Sequence, residues 1–460
     1  MESIKEVAMN QILIVNSTIV NEGQQFVANV LIEDGIIKEI GFPLANADAT
    51  IIDAKGMYLL PGIIDAHVHF REPGLSDKGD IFTESRAAVA GGITSYMDMP
   101  NTIPNTTNSN LLDEKFKIAA CGSFANYSFY IGIKEDNLAE ILNADFSRVC
   151  GITDDGLYFT NTKSMLVDQP ELMKEVLSRS SKLVAIHSEK EAIVEENLRN
   201  AINEFGGDIS AELHPKIRSE EACYLATQSA LKTASETGAR LHVLHLSTVK
   251  EALLFDNTVR LEQKNITAEV CVHHLWFSDE DYKKLGAKIK WNPAIKTVKD
   301  KEGLLAALID DYIDIVSTDH APHLLEEKQR DYLHSPGGAP MVQHSLVVML
   351  EFVRQGKISI EKVVEKMCHN PAVLFGIEKR GFIRTGYNAD LVIVDLNDPW
   401  VVSKSNILYK CGWTPLEGYE FGAKVYCTIV NGKIGFFMGK ITSEPNGREL
   451  YFHNVFKEKS

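Results

Sequence analysis

Eight short apolar runs, separated by stretches with helical character, constrain the fold of this 460-residue chain more than any other feature. The runs extend over Ile63 to His67, Ile93 to Met97, Ala125 to Ile131, Arg148 to Thr153, Leu183 to His187, Arg240 to His245, Ile266 to Val272 and Ile313 to Thr318. Apolar strands that alternate with helices are typical of a parallel sheet whose faces are covered. Eight such units predict an α/β protein with a closed (β/α)₈ barrel of the TIM type over residues 61–377, and an open doubly wound sheet is the competing fold.

Both chain ends have a different pattern, in which short strands are joined by tight turns. Strands are predicted at Gln11 to Val20, Phe26 to Glu33, Ile36 to Ile40, Asp390 to Asp395 and Lys424 to Val430. The dipeptides Asp34-Gly35 and Asn431-Gly432 are typical of hairpin turns. We expect residues 1–60 and 378–460 to form one small β-sandwich domain, with two unrelated β extensions as the alternative.

Composition and charge limit the possible classes of function and indicate the cellular compartment. The formal net charge of −16 argues against a nucleic-acid-binding protein, which needs a positive face, but not against a small anionic substrate in a locally positive site. No apolar stretch approaches the roughly 18 to 20 residues of a membrane helix, and residues 1–10 lack the pattern of a secretory signal. The seven cysteines are widely spaced and form no disulfide framework or C-x-x-C motif, which favours the reducing cytoplasm.

Polar residues lie at or just after the carboxyl ends of the predicted barrel strands. They are His67, His69, Asn101, Asp154, Asp155, His187, His245, His273, His274, Asp319 and His323. Because the carboxyl ends of all strands in such a barrel face one mouth, we expect the strands to deliver these groups to a single site.

The histidines favour a metal site as a group, although each has a plain structural alternative. His67 and His69 are two residues apart, so both imidazoles can point to one side of an extended strand and reach one metal ion. His187 and His245 each end an apolar run, where a lone histidine is more often a hydrogen-bonded core residue. Strand alternation lets only one of His242 and His245 point into the barrel, and His245 is nearer the strand end.

Two aspartates complete the candidate site. Asp319 follows the last predicted strand, where a carboxylate can bind a metal ion and exchange a proton with bound water, or can instead cap the next helix. Asp155 precedes Gly156, and it can either bridge two metal ions or simply form an Asp-Gly turn. The nitrogen-rich ligand set favours two zinc ions, and manganese or cobalt suits the same geometry.

Three segments resemble the signature of the dihydroorotase family within the amidohydrolase superfamily. They are Pro61-Gly62-Ile63-Ile64-Asp65-Ala66-His67-Val68-His69-Phe70-Arg71-Glu72-Pro73-Gly74, Asp98-Met99-Pro100-Asn101-Thr102 and Ser317-Thr318-Asp319-His320-Ala321-Pro322-His323, in the family's order. The resemblance extends from about Gln11 to Phe436. Many superfamily members bridge their metals with a carboxylated lysine, whereas Thr153-Asp154-Asp155-Gly156 is similar to a bacterial class that bridges them with an aspartate, here Asp155. This departure weakens a hydantoinase or allantoinase interpretation.

The resemblance implies both a ligand set and a reaction. It implies that one metal binds His67, His69 and Asp319, that the other binds His187 and His245, and that Asp155 bridges them. It also implies substrate contacts from Arg71, Asn101, Asn292, His323, Gly337 and Gly338, although the family usually has Phe at the position of Gly337. The implied activity is the reversible conversion of dihydroorotate into N-carbamoyl-L-aspartate in pyrimidine biosynthesis. A hydroxide that bridges the metals would attack the ring amide, and Asp319 would act as general base and acid.

Other interpretations stay open at this point. A different cyclic amidohydrolase is one, and a non-catalytic scaffold is another, although such scaffolds typically lack the metal ligands that this chain has. The charged segment Leu324 to Leu333 forms either a flap over the site or a helix. No motif indicates the oligomeric state, and a homodimer is one candidate.

Overall fold

The computed structural model describes residues 11–46, 48–134, 136–143, 145–155 and 165–453. Its N-terminal strands are β1 (Gln11–Asn21), β2 (Gln24–Glu33), β3 (Ile36–Gly41), β4 (Thr50–Asp53) and β5 (Tyr58–Pro61). β1 pairs antiparallel with β2 and parallel with β4 and β5, and β2 pairs antiparallel with β3. These strands lead directly into the first strand of a second sheet.

Eight parallel strands form this second sheet, hydrogen-bonded in chain order. They are β6 (Ile63–Val68), β7 (Ile93–Asp98), β8 (Asn126–Gly132), β9 (Gly151–Thr153), β10 (Val184–Ile186), β11 (Leu241–Val243), β12 (Ile266–Cys271) and β13 (Ile315–Ser317). The last strand returns to the first, because a bridge joins Val68 to His320 and the His69 N–H donates to the His320 carbonyl at 2.8 Å. Thr318 Oγ1 also donates to Asp65 Oδ2 at 2.6 Å. The prediction of a (β/α)₈ barrel is therefore confirmed, and the open sheet is wrong.

Helices cover the barrel and connect its strands. They are α1 (Ile81–Ala90), α2 (Ser109–Gly122), α3 (Leu138–Ile141), α4 (Pro170–Arg179), α5 (Glu191–Phe205), α6 (His214–Ile217), α7 (Glu220–Thr237), α8 (Val249–Ala252), α9 (Val272–Trp276), α10 (Tyr282–Leu285), α11 (Val298–Ile309), α12 (Leu325–Lys328), α13 (Ser345–Arg354), α14 (Ile360–Val364) and α15 (Asn370–Phe375). Asp80 begins α1 by accepting a hydrogen bond from the Thr83 N–H at 2.7 Å, and Gly238 ends α7 in the left-handed conformation. Within the described ranges, no helix is both long and apolar enough to cross a membrane.

Six strands follow the barrel, of which four join the sheet of the N-terminus and two pair only with each other. They are β14 (Leu391–Asp395), β15 (Trp400–Val401), β16 (Glu420–Phe421), β17 (Lys424–Val430), β18 (Lys433–Phe437) and β19 (Lys440–Ile441). β14 pairs antiparallel with β5, with Leu391 opposite Pro61, so nine strands from both chain ends share one sheet. Apolar side chains from both ends, including Ile14, Val30 and Ile393, are fully buried in a core of their own. A single sheet built from both chain ends is thus confirmed, and the alternative of two unrelated β extensions is wrong.

Candidate metal centre and active site

Four histidines and two aspartates meet at the carboxyl-terminal mouth of the barrel, and all six are buried. They come from five strands: His67 and His69 from β6 and the residues after it, Asp155 after β9, His187 after β10, His245 after β11 and Asp319 after β13. The structure therefore brings together every residue that the sequence predicted as a metal ligand.

The first part of the cluster contains His67, His69 and Asp319. The Nε2 atoms of His67 and His69 are 3.3 Å apart, so both imidazoles point to the same place. Asp319 Oδ1 lies 3.0 Å from His69 Nε2 and 3.4 Å from His67 Nε2. Two ring nitrogens and a carboxylate oxygen that converge in this way can hold one divalent cation.

Asp155 lies between this part and a second pair of histidines. Its Oδ2 atom is 3.1 Å from His67 Nε2 and 3.5 Å from His69 Nε2. Its Oδ1 atom is 3.4 Å from His187 Nδ1 and 3.9 Å from His245 Nε2. One carboxylate thus presents one oxygen to each pair of imidazoles, which is the arrangement that a ligand bridging two cations requires.

Three of the predicted site residues have backbone conformations that side chains rarely adopt. The φ angles are 72° at Arg71, 36° at His245 and 44° at Asp319. Such conformations cost of order 1 to 3 kcal/mol each and are concentrated at functional sites.

The turn at His245 corrects an expectation based on strand alternation. β11 ends at Val243, so the regular pleat stops before His245. His242 is fully buried, with Nδ1 2.9 Å from Thr267 Oγ1 and Nε2 3.5 Å from Glu269 Oε2, on the inside of the barrel. The expectation that only one of His242 and His245 points inward is therefore wrong.

Two buried glutamates that the sequence analysis missed orient the histidines. Glu269 Oε1 lies 2.6 Å from His67 Nδ1, and Glu189 Oε2 lies 2.8 Å from His187 Nε2. Each carboxylate accepts the proton of one ring nitrogen and leaves the other nitrogen facing the cluster. A signal for Glu269 was available in the sequence, because it is a charged residue inside an otherwise apolar strand.

Asn101 has a similar role for His69, in addition to lining the cavity described below. His69 Nδ1 donates to Asn101 Oδ1 at 2.7 Å, which leaves His69 Nε2 for the cluster. The oxygen of this amide is therefore used within the protein, and its NH₂ group remains as a hydrogen-bond donor.

The electrostatics of the cluster fit a cation site. Burial acts to raise the pKa of Asp155, but the neighbouring imidazoles of His187, His245 and His67 hold this pKa well below its usual value. Burial acts to lower the pKa of His187, but its contacts with Asp155 and Glu189 raise this pKa to about 9. Within the described ranges, neither ring nitrogen of His245 has a hydrogen-bond partner. A buried imidazole of this kind, beside carboxylates that retain their charge, is what a metal ligand needs.

A cavity of about 470 Å³ opens above the cluster. Its lining includes four of the six cluster residues (His69, Asp155, His245 and Asp319) and every predicted substrate contact (Arg71, Asn101, Asn292, His323, Gly337 and Gly338). Arg71 is 6% exposed, its Nε donates to the Pro322 carbonyl at 3.1 Å, and its Nη2 lies 3.1 Å from His323 Nε2.

Three other polar residues at strand ends do not line this cavity. Asp154 accepts backbone hydrogen bonds from His187 and Leu166 at 3.1 and 2.8 Å. His273 stacks on Trp291 with 4.0 Å between ring centroids, and His274 Nε2 lies 3.1 Å from the Pro293 carbonyl. Their contacts are those of structural residues.

Comparison with known proteins places this site in a family. A family model described as "Amidohydrolase family" matches residues 58–435. The chain is 33% identical to a dihydroorotase of Methanosarcina acetivorans, with 92% of this chain and 91% of that protein covered, and 33% identical to a dihydroorotase of Trichlorobacter lovleyi, with 90% and 96% covered. Among solved structures it is similar to the L-hydantoinase (dihydropyrimidinase) of Arthrobacter aurescens, with a TM-score of 0.88, 26% identity, and 96% and 99% of the two chains covered.

The chain belongs to the amidohydrolase family, and it is a hydrolase that acts on cyclic amides. Within that family, several curated proteins that it resembles over nearly their whole length are dihydroorotases.

Proposed function

We propose that the protein interconverts dihydroorotate and N-carbamoyl-L-aspartate, the dihydroorotase reaction. The observation that carries this proposal is the burial of the Arg71 side chain without an ion-pair partner among the described residues. Its guanidinium is buried at the wall of the cavity, and among the described residues no carboxylate forms an ion pair with it. A buried cation without an anionic partner is costly, so an anionic ligand that enters the cavity gains a strong and selective interaction.

The cluster at the cavity floor would hold two divalent ions. His67, His69 and Asp319 are the proposed ligands of one, His187 and His245 of the other, and Asp155 of both. When bound, such ions lower the pKa of a coordinated water molecule and polarise the carbonyl group of the amide. Zinc suits the four imidazoles best, and manganese or cobalt can replace it.

Asp319 is the residue that we propose to move the proton. Its carboxylate lines the cavity and lies beside His69, so it can reach both the attacking water and the substrate ring. In hydrolysis, Asp319 accepts a proton from the water and delivers it to the ring nitrogen as the C–N bond breaks. In the direction of synthesis the same carboxylate takes the proton from the ureido nitrogen and gives it to the departing hydroxide, which leaves as water.

The cavity wall would select the substrate. Arg71 and His323, with the NH₂ group of Asn101, are the proposed partners of the dihydroorotate carboxylate, while Asn292 and the backbone at Gly337 and Gly338 would contact the ring. Hydantoin and allantoin have no carboxylate, so they would leave Arg71 unpaired in a closed complex.

The test is a hydrolysis assay on the zinc-loaded protein with dihydroorotate, hydantoin and allantoin side by side. We expect turnover of dihydroorotate that exceeds turnover of the other two by at least about a hundredfold. Equal or faster hydrolysis of hydantoin would assign the protein to the hydantoinases instead. Absence of turnover and of bound zinc would favour a non-catalytic scaffold.

A further inference from the structure

Two buried lysines hold the part of the cavity wall formed by residues 335–338, and one of them, Lys290, itself lines the cavity. Lys328 is 4% exposed, and its Nζ donates to the carbonyls of Pro336, Gly338 and Lys290 at 2.7, 2.8 and 3.3 Å. Lys290 is 8% exposed, and its Nζ donates to the carbonyls of Tyr332 and Ser335 at 2.7 and 2.5 Å. Five backbone carbonyls are thus held by two ammonium groups, which we call the lysine clamp.

The lysine clamp has an unusual charge balance. In the described part of the chain neither ammonium group forms an ion pair. The Lys290 Nζ also lies over the Tyr332 ring, 4.2 Å from the ring centroid. Burial lowers the pKa of Lys290 to about 8 and the pKa of Lys328 well below its usual value. Buried charges add little stability compared with apolar side chains of the same size. We therefore explain the presence of the two lysines by the position in which they hold residues 335–338, because their contribution to the stability of the protein is small.

That segment fits closely against residues that line the cavity. The Gly338 N–H donates to the Lys290 carbonyl at 2.8 Å, and Gly338 has a φ of 109°. A Cβ atom at Gly338 would lie 2.7 Å from the Ala321 Cβ, and one at Gly337 would lie 2.8 Å from Asn292 Nδ2. A shift of this segment would therefore change the width of the cavity beside Asn292.

We propose that Lys290 and Lys328 are positioning residues, which hold the 335–338 wall at the distance from the metal cluster that binding of a cyclic substrate requires. The inference rests on the proposed function, because it assumes that the ring lies between this wall and the cluster. Lys328 is the last residue of α12, so the clamp also fastens part of the charged Leu324 to Leu333 segment to the wall. The clamp acts on substrate binding, and it contributes no group to the chemical step.

The experiment compares Lys328→Met and Lys290→Met with the matched control Arg330→Met, which removes an exposed cation from the same segment. In both clamp variants we expect KM to rise about tenfold while kcat changes by less than about threefold. We also expect faster amide hydrogen exchange in a peptide that spans residues 331–339. The control should match the wild type in both measurements, and zinc content should be the same in all four proteins.

A conservative variant separates positioning from general damage. Lys328→Arg keeps a cation with several N–H donors, so we expect it to restore at least part of the KM that Lys328→Met loses. An unchanged KM in both methionine variants would overturn the proposal, as would a fall in kcat at constant KM. If Lys328→Met does not fold, Lys290→Met carries the same test, because it leaves the three carbonyl contacts of Lys328 in place.

Failure of this inference can be distinguished from failure of the proposed function. If the wild type does not hydrolyse dihydroorotate, the proposed function fails, and KM is then measured with whichever cyclic amide the protein does hydrolyse. Amide exchange in the 331–339 peptide needs no substrate. Exchange that is equal in the wild type and in both methionine variants would overturn the lysine clamp for any substrate.

Discussion

At the scale of single residues, Arg71 shows how local backbone geometry serves a charged side chain. Asp98 Oδ1 accepts a hydrogen bond from the Phe70 N–H at 2.7 Å, immediately before Arg71 adopts its φ of 72°. This turn directs the guanidinium to the cavity wall, where Pro322 and His323 hold it. Folding places a cation without a carboxylate partner in this position, and only a ligand can supply the partner.

Arg71→Met should therefore abolish recognition of the carboxylate. We expect kcat/KM for dihydroorotate to fall by about a thousandfold, because the buried guanidinium is the strongest donor available to the substrate. Zinc content, measured by atomic absorption, should not change, since Arg71 is outside the metal cluster. The control is Arg330→Met, and wild-type kcat/KM in Arg71→Met would refute the assignment of this residue.

Asp155 gives a second prediction at the same scale. Because its two oxygens face different pairs of histidines, Asp155→Asn should weaken both proposed metal positions. We expect the dissociation constant for zinc to rise by at least about a hundredfold, because metal affinity falls by up to about that factor when a group that only orients a metal ligand is removed. Calorimetric titration measures this, with the exposed Asp208→Asn as control. Unaltered binding of two zinc ions would contradict the bridging role.

At the scale of secondary-structure elements, α2 supports β7 and the loop that carries Arg71. Lys115 from α2 is completely buried, and its Nζ lies 2.5 Å from Asp98 Oδ2 at the end of β7. The same Nζ donates to the Met99 carbonyl at 2.8 Å. Since Asp98 also holds the Phe70 N–H, one ion pair joins α2, β7 and the residues that follow β6.

Lys115→Met should destabilise the protein substantially. It leaves Asp98 as a buried, unpaired carboxylate, for which the expected loss is about 3 to 5 kcal/mol. The exposed Lys117→Met on the same helix should change stability by less than about 0.5 kcal/mol. Thermal denaturation measures both. The double variant Lys115→Met/Asp98→Asn should recover part of the loss, and a double variant as unstable as the sum of the single ones would show that the pair is not coupled.

At the scale of the whole molecule, the metal cluster draws residues from both ends of the barrel sheet. Its six residues lie at or just after the ends of β6, β9, β10, β11 and β13, and β6 and β13 are the strands whose contact closes the barrel. Two cations bound to these residues would link distant parts of the chain in the folded state alone. Metal binding should therefore stabilise the entire domain against unfolding.

Zinc should raise the thermal denaturation midpoint of the metal-free protein, and a chelator should reverse the change. At a free zinc concentration a thousandfold above the dissociation constant, the gain is about 4 kcal/mol. Calcium at the same concentration should have little effect, because it prefers oxygen ligands. A midpoint that does not respond to zinc would argue that the six residues do not form a metal site.

Much of the architecture was encoded locally and could be predicted from sequence. The predicted strand Ile266 to Val272 corresponds to Ile266–Cys271, and Lys424 to Val430 corresponds to β17, because apolar β-branched runs and turn residues act over a few neighbours. The position of polar residues at strand ends has the same local origin, and a parallel barrel directs all of those ends to one mouth. For this reason the convergence of the four histidines and two aspartates could be anticipated before any coordinates.

Contacts between residues far apart in the chain were decided only by the tertiary structure. Glu269 orients His67 across 202 positions of sequence, and no periodic pattern reports such a pairing. That His242 and His245 both face inward depends on where β11 stops, which propensity does not determine to a single residue. Lys328 looks like an ordinary surface lysine in the sequence, because lysine is almost never buried, and only the packed loop shows the carbonyls that surround it. Local patterns determine which elements form, whereas the closure of the barrel determines which side chains meet and which charges are removed from water.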